Sequence, residues 1–293
     1  LFGISLLISL YNQTDTFVLG FIDKSKNEVG AYSIGVKAID IIIGFFTALS
    51  TVFIPRAALL YKNDDKTNYN DTNKYSMNII MFIVLPAIAT MMILSRPICA
   101  LISGNYEYNE SLGYVSSPII LITLSFMMLT YTISDMIYGQ ILLPQKKEKY
   151  YLIALGGGTL VNIGLSLLFG LVLFKKSPAI GVALGTMITD ILVLAFMMYK
   201  SWKWIKPTIF NINNLKILIA TIAITGLTFL LYSPMYKLGL LFNGGVAVAM
   251  IIQLVFVVLI DAIFYILILY FTKEKIITTI FKSKSKQRPS LGD

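Results

Sequence analysis

Six ionisable side chains sit inside stretches otherwise built of Ile, Leu, Phe and Met: Asp15, Lys37, Asp40, Asp135, Asp190 and Asp261. A charge at the centre of a bilayer costs on the order of 3 kcal/mol even on the gentlest scale, so such a group faces a water-filled cavity, a partner or a ligand. Lys37 and Asp40 are three apart and share a helix face. Either they neutralise each other, or Lys37 meets an anionic ligand while Asp15 or Asp40 holds it in place. Asp15 belongs to the run Tyr11-Asn12-Gln13-Thr14-Asp15-Thr16, which is too polar to face lipid across its whole width. Asp135 lies with Tyr131, Ser134 and Tyr138 at helical spacing, a second polar stripe. Asp261 is a coupling-ion site or an interhelical hydrogen bond. Asp190 follows the small residues Gly181, Ala183, Gly185 and Thr186, which let a helix approach its neighbour closely. The chain has no His and one Cys, excluding disulfide frameworks, His/Cys metal sites and His-based acid–base catalysis. Cys99, in an apolar run, reads as a small buried hydrophobe.

The elements that must position these residues are transmembrane helices. Of 293 residues, 57% are hydrophobic and only 13% charged, with a mean hydropathy of +0.78. A soluble domain carries about a quarter charged residues. Crossing about 30 Å of hydrocarbon takes about 20 mostly apolar residues in a helix, because no backbone polar group can be left unpaired there. About eight segments meet that length. They run over Leu1–Ile22, Val29–Ile54, Tyr75–Ile102, Val115–Leu143, Tyr150–Phe174, Ala179–Lys200, Leu215–Met235 and Gly244–Phe271. Pro86 should kink the third, while Pro55 and Pro144 mark the ends of the second and fourth. Gly156-Gly157-Gly158 lies in a span without a following Lys-Ser/Thr, and reads as a packing or kinking feature rather than a nucleotide loop. The chain opens inside an apolar run, as a fragment or a chain whose first residues have been removed would.

Lys and Arg are distributed unequally between the connections. One set holds six: Lys24, Lys26, Arg96, Lys175, Lys176 and Lys237. The other set, between the second and third, fourth and fifth, and sixth and seventh spans plus the tail, holds seventeen. The positive-inside rule places that richer set, and both termini, in the cytoplasm. The net charge of +9 is then a topology signal plus attraction to anionic lipid, not a nucleic-acid footprint. Residues from Lys273 onward read as a disordered basic tail.

Asp15-Thr16-Phe17-Val18-Leu19-Gly20, then Glu28-Val29-Gly30-Ala31-Tyr32-Ser33, then a long apolar helix ending in Phe53-Ile54-Pro55-Arg56, form an ordered set. Gln140-Ile141-Leu142-Leu143-Pro144-Gln145-Lys146-Lys147-Glu148 and Ala179-Ile180-Gly181-Val182-Ala183-Leu184-Gly185-Thr186 extend it to roughly Lys200. Together these resemble the polysaccharide flippases (O-antigen or capsule repeat units) of the multidrug/oligosaccharidyl-lipid/polysaccharide exporter superfamily. The resemblance implies an all-α integral membrane fold, the second lobe of a MATE-like transporter plus two extra C-terminal helices. Residues 1–200 would be the six-helix lobe, 201–271 the extra pair and 272–293 the basic cytoplasmic tail. The first lobe would be missing, so the chain alone should not transport.

The resemblance further implies an undecaprenyl-pyrophosphate-linked oligosaccharide turned across the bacterial cytoplasmic membrane by alternating access, and no enzyme. Lys37 would meet the pyrophosphate, with Asp15, Asp40, Asp135 and Tyr138 lining the cavity or coupling to H+ or Na+; Arg56, at the cytoplasmic mouth, would be an anchor. Partners would be the lipid-linked oligosaccharide, the absent lobe and other polysaccharide-assembly proteins, without nucleic acid or cofactor. Within the superfamily, a drug/cation antiporter would show an acidic, aromatic cavity lacking a cation, and a peptidoglycan-precursor flippase several cationic cavity residues. A membrane polysaccharide polymerase or acyltransferase is a third alternative, disfavoured by the absence of His and of a large outer loop.

Overall fold

A computed structural model describes residues 2–23, 26–107, 114–242 and 244–279, with side chains from residue 7. Among the described residues the chain is helical. The helices are α1 (Phe2–Ile22), α2 (Asn27–Lys62), α3 (Lys66–Ile93), α4 (Ser95–Ser103), α5 (Ser117–Met136), α6 (Glu148–Leu168), α7 (Pro178–Ile209), α8 (Ile212–Leu240) and α9 (Gly245–Phe271). π-helical turns extend α5 over Ile137–Leu142 and α6 over Phe169–Leu173. Seven of these units, from α2 onward without α4, are long and apolar enough to cross a membrane. The 21 residues of α1 suffice in length, but its polar run dilutes the apolar character, so eight spans become seven plus one polar-centred helix.

Several ends differ from the hydropathy reading. Pro55 does not stop α2, which continues to Lys62; the expected Pro55–Lys74 loop shrinks to residues 63–65. Asp65 caps α3 by accepting from the Asn68 amide, and the Asn68 bonds hold its carboxyl below the usual range. The span expected over Tyr75–Ile102 is two helices, because the chain turns at Leu94 between α3 and α4. Pro144 does follow the fourth span. Helix α7 runs on past Lys200 to Ile209 and hands over to α8 at Asn211, whose side chain accepts from the Asn213 and Asn214 amides. Polar segments beyond the hydrocarbon remain good helix formers, so hydropathy truncates them.

Residues after Lys273 are not all tail. Glu274 is fully buried, accepting from the amides of Ile276 and Ile277 and from Asn78 Nδ2 at 3.0 Å. Residues 275–279 form a helical turn with Ile276 and Ile277 buried. The rest of the basic tail and Lys24 lie outside the described residues.

The lysine-rich connections gather at one end of the bundle. There Tyr61, Tyr69 and Trp204 form an aromatic cluster, Tyr69 donates to the Gln140 carbonyl, and Asn78 links Asn211 to Glu274. At the opposite end the Ala179 amide donates to Glu28 Oε2, tying α7 to α2.

The small-residue run of α7 packs as expected. A Cβ on Gly181 would stand 2.7 Å from the backbone carbon of Phe169, and one on Gly185 3.1 Å from the Ser166 amide. Of the three successive glycines, Gly156 and Gly157 have open space, whereas a Cβ at Gly158 would press on Val193 and Tyr11. Gly181→Ala therefore forces backbone apart at the α6–α7 crossing and is expected to destabilise by about 1–3 kcal/mol, whereas Gly157→Ala does not. Thermal unfolding of both variants in detergent checks this ordering.

Candidate functional site

The polar run of α1 organises the interior. Tyr11 is buried and donates its hydroxyl to Asp190 on α7. Tyr32 on α2, also buried, donates to Asp15 at 2.7 Å. Each aspartate keeps its other oxygen, Asp15 Oδ1 and Asp190 Oδ2, buried without a hydrogen-bond partner. Beside Asp15 stand Asn162 and Thr186, joined by a 3.3 Å bond, with Ser166 donating to Asn162 at 3.2 Å. One helix thus ties α2, α6 and α7 together through groups that hydrocarbon would otherwise leave unpaired.

Two cavities flank this network. One, of about 210 Å³, lies between α1, α2 and α5 and is lined by Gln13, Asp15, Thr16, Tyr32, Asp40 and Tyr131, among others. The other, of about 30 Å³, lies between α1, α5, α6 and α7 and contains Tyr11, Asp135, Tyr151 and Asp190. Asn12 and Tyr131 line both.

Asp15 and Asp40 line the first cavity and Asp135 the second. Lys37 and Tyr138 do not join them. Lys37 is exposed on the outward face of α2, and among the described residues no ion pair joins it to Asp40 or Asp15. The idea that a carboxylate holds Lys37 gives way because Asp15 is engaged by Tyr32. Tyr138, in the π-helical turn after α5, stacks on Tyr151 with ring centroids 4.0 Å apart and is a wall of the packing rather than a cavity group. Asp261 accepts from Thr228 at 2.6 Å, the interhelical bond between α9 and α8. Arg56 is exposed toward the C-terminal end of α2. Cys99 is fully buried, as its apolar setting suggested.

The role of Asp190 and both tyrosine donors was not readable in the sequence, since Tyr11 and Asp190 are 179 residues apart. The available signal was negative: an aspartate in a span whose partner was not on its own helix.

The outward face of α1 and α2 is the other distinctive feature. Asn12 and Gln13 are exposed near the middle of α1, and Lys37 and Asp40 are exposed about 15–20 Å along α2 from its start. These positions border water or protein, because hydrocarbon offers them no hydrogen-bond partners. An apolar groove of about 490 Å³, lined by Phe82, Pro86, Met91, Ile224, Val258 and others, runs between α3, α8 and α9.

Among the described residues no group of three or more His, Cys, Asp or Glu gathers as a metal would require. The cavity walls set carboxylates among tyrosine, threonine and asparagine side chains. Tyr32→Phe leaves the buried Asp15 without its donor, and is expected to lower stability by about 1–3 kcal/mol. Thermal unfolding in detergent, with the exposed Tyr199→Phe as reference, measures the loss.

A search of curated protein sequences finds no match. A solved structure described as lipid II flippase MurJ, inward closed conformation, superposes with a TM-score of 0.68 at 21% identity, covering 91% of this chain and 52% of that one. The chain thus spans about half the length of the structure it matches and shares its fold. The resemblance to polysaccharide flippases is narrowed accordingly: within the same lipid-linked flippase superfamily, the relative found is the peptidoglycan-precursor type. The profile described as "Lipid II flippase MurJ" matches residues 4–247, and with this multi-pass helical fold the chain belongs to the MurJ family.

Proposed function

We propose that this chain is one lobe, with two further helices, of a flippase that carries a lipid-linked, pyrophosphate-bearing peptidoglycan precursor across the cytoplasmic membrane. The observation that carries it is the polar face of α1 and α2, set several turns inside both helices in a chain otherwise suited to lipid. A sugar–pyrophosphate head cannot cross hydrocarbon unaided, so a transporter must offer it a wet, cationic surface while the tail stays in an apolar one. Lys37 is the cation on that face, and the groove between α3, α8 and α9 supplies apolar surface for a prenyl chain. The gathered basic connections and the end of α9 mark the cytoplasmic side, by the positive-inside rule. A second lobe facing α1 and α2 would complete the pathway, and rocking of the two lobes would open it to each side in turn.

A second reading has one observation in its favour. The cavity around Asp15 and Asp40 is acidic and tyrosine-lined with no Lys or Arg in its wall, as a cation antiporter would need. The family match favours the flippase, with the acids assigned to ion coupling and Lys37 to the substrate.

In cells carrying the complete gene, Lys37→Ala is expected to reduce delivery of the lipid-linked precursor to the outer leaflet about tenfold or more, from the loss of a charge-assisted contact of roughly 1.5–3 kcal/mol. Lys37→Arg should retain delivery. Precursor accumulating on the inner face at normal protein level supports the reading. Undiminished delivery from Lys37→Ala removes Lys37 from the pathway, and undiminished delivery on deleting the gene removes the flippase reading in favour of the antiporter.

A further inference from the structure

Asp261 is the ionisable group that neither helix packing nor the substrate pathway accounts for. It lies about 15 Å along α9 before that helix ends at Phe271, well inside the span. It is 3% exposed, and Thr228 on α8 donates to its Oδ2 at 2.6 Å. The other oxygen, Oδ1, is buried without a hydrogen-bond partner. The Thr228 bond thus accounts for half of the carboxyl. An uncharged asparagine would join Thr228 as well, without the cost of an ionisable group inside the membrane. The residue also lines the apolar groove between α3, α8 and α9.

Charge and shape define the occupant. The groove has a volume of about 490 Å³, and apart from Thr90, Asp261 and Tyr265 its wall is apolar. Tyr265 donates its hydroxyl to the Phe82 carbonyl at 2.8 Å, so that proton is committed elsewhere. Among the described residues no Lys or Arg lines the groove to serve as the counter-charge. An anionic head beside Asp261 would be repelled. A bare inorganic cation would find one carboxyl group and too few other oxygens to replace its water. An apolar chain ending in a cationic N–H donor meets both demands, because charge-assisted hydrogen bonds are strongest where water is excluded. One groove suits one chain.

We propose that the groove between α3, α8 and α9 binds a single-chain lipophilic amine, with the ammonium hydrogen-bonded to Asp261 Oδ1. The hydrocarbon lies against Phe82, Met91, Ile224 and Val258. Thr228 holds the carboxyl in place from the α8 side. An amine seated there occupies the surface assigned above to a prenyl chain, and so excludes it. The site rests on Asp261 and the groove rather than on the flippase reading. It is tested by binding without transport, so either can fail without the other.

The test uses the purified chain in lipid nanodiscs and two photoreactive probes of equal chain length, hexadecylamine and hexadecyl methyl ether, each with a diazirine in mid-chain. Mass spectrometry locates the cross-linked residues. The amine is expected to label the groove faces of α3 and α9 saturably. Its half-saturation should fall about tenfold or more below that of the ether, the effect of one charge-assisted contact. Asp261→Asn should bring the amine to the level of the ether and leave labelling by the ether unchanged, which also reports an intact groove. If Asp261→Asn fails to fold, the comparison of the two probes on the unchanged chain still decides. Equal labelling of that chain by amine and ether, or an amine preference that survives Asp261→Asn, overturns the proposal.

Discussion

Hydrocarbon leaves no polar group a solvent, and the middle of α1 is where this chain meets that constraint most severely. The run from Tyr11 to Thr16 would be unstable in lipid, so its side chains turn inward to α2 and α7 or outward to a wet face. Tyr11 reaches Asp190, and Asp15 receives Tyr32, while Thr14 bonds back to the Leu10 carbonyl within its own helix. Asn12 and Gln13 remain on the outside. The placement of α2 and α7 against α1 follows from these partners as much as from apolar packing.

The same constraint sorts the charged groups by depth. Asp15 and Asp190 are buried, where Tyr32 and Tyr11 donate to them, while Lys37 and Asp40 are exposed on α2. Asn12 and Tyr131 line both cavities and so form the wall between the two sets. The chain spans about half of the flippase structure it matches.

The positions of the spans were legible because a stretch of Ile, Leu, Val and Phe of sufficient length has few other fates. Their ends were not. Hydropathy registers the hydrocarbon boundary, whereas α2 and α7 continue beyond it as polar helix to Lys62 and Ile209, and α3 breaks at Leu94 inside an apolar stretch. That Asp15 and Asp190 must find polar company was legible from cost alone, since an aspartate in a span cannot face lipid. Which company was not: Tyr11 with Asp190 and Thr228 with Asp261 are contacts between distant helices that no local spacing encodes. Lys37 with Asp40 is the converse case, a local spacing that suggested a pair the structure does not make. The family branch lay beyond those motifs as well, because the small-residue and basic-turn patterns belong to the shared architecture rather than to a substrate.

The central claim, that α1 and α2 present a wet face at membrane depth, is open to direct measurement by thiol labelling. Cys99 is the chain's one cysteine and is fully buried, so background is low. Single cysteines placed at Asn12, Gln13, Lys37 and Asp40 should react with a membrane-impermeant maleimide in intact membranes. Cysteines at Phe229 and Leu259, which are 73% and 56% exposed on the outsides of α8 and α9, should stay unlabelled because lipid covers them. Labelling at Phe229 and Leu259 with silence at the α1 and α2 positions would contradict the account.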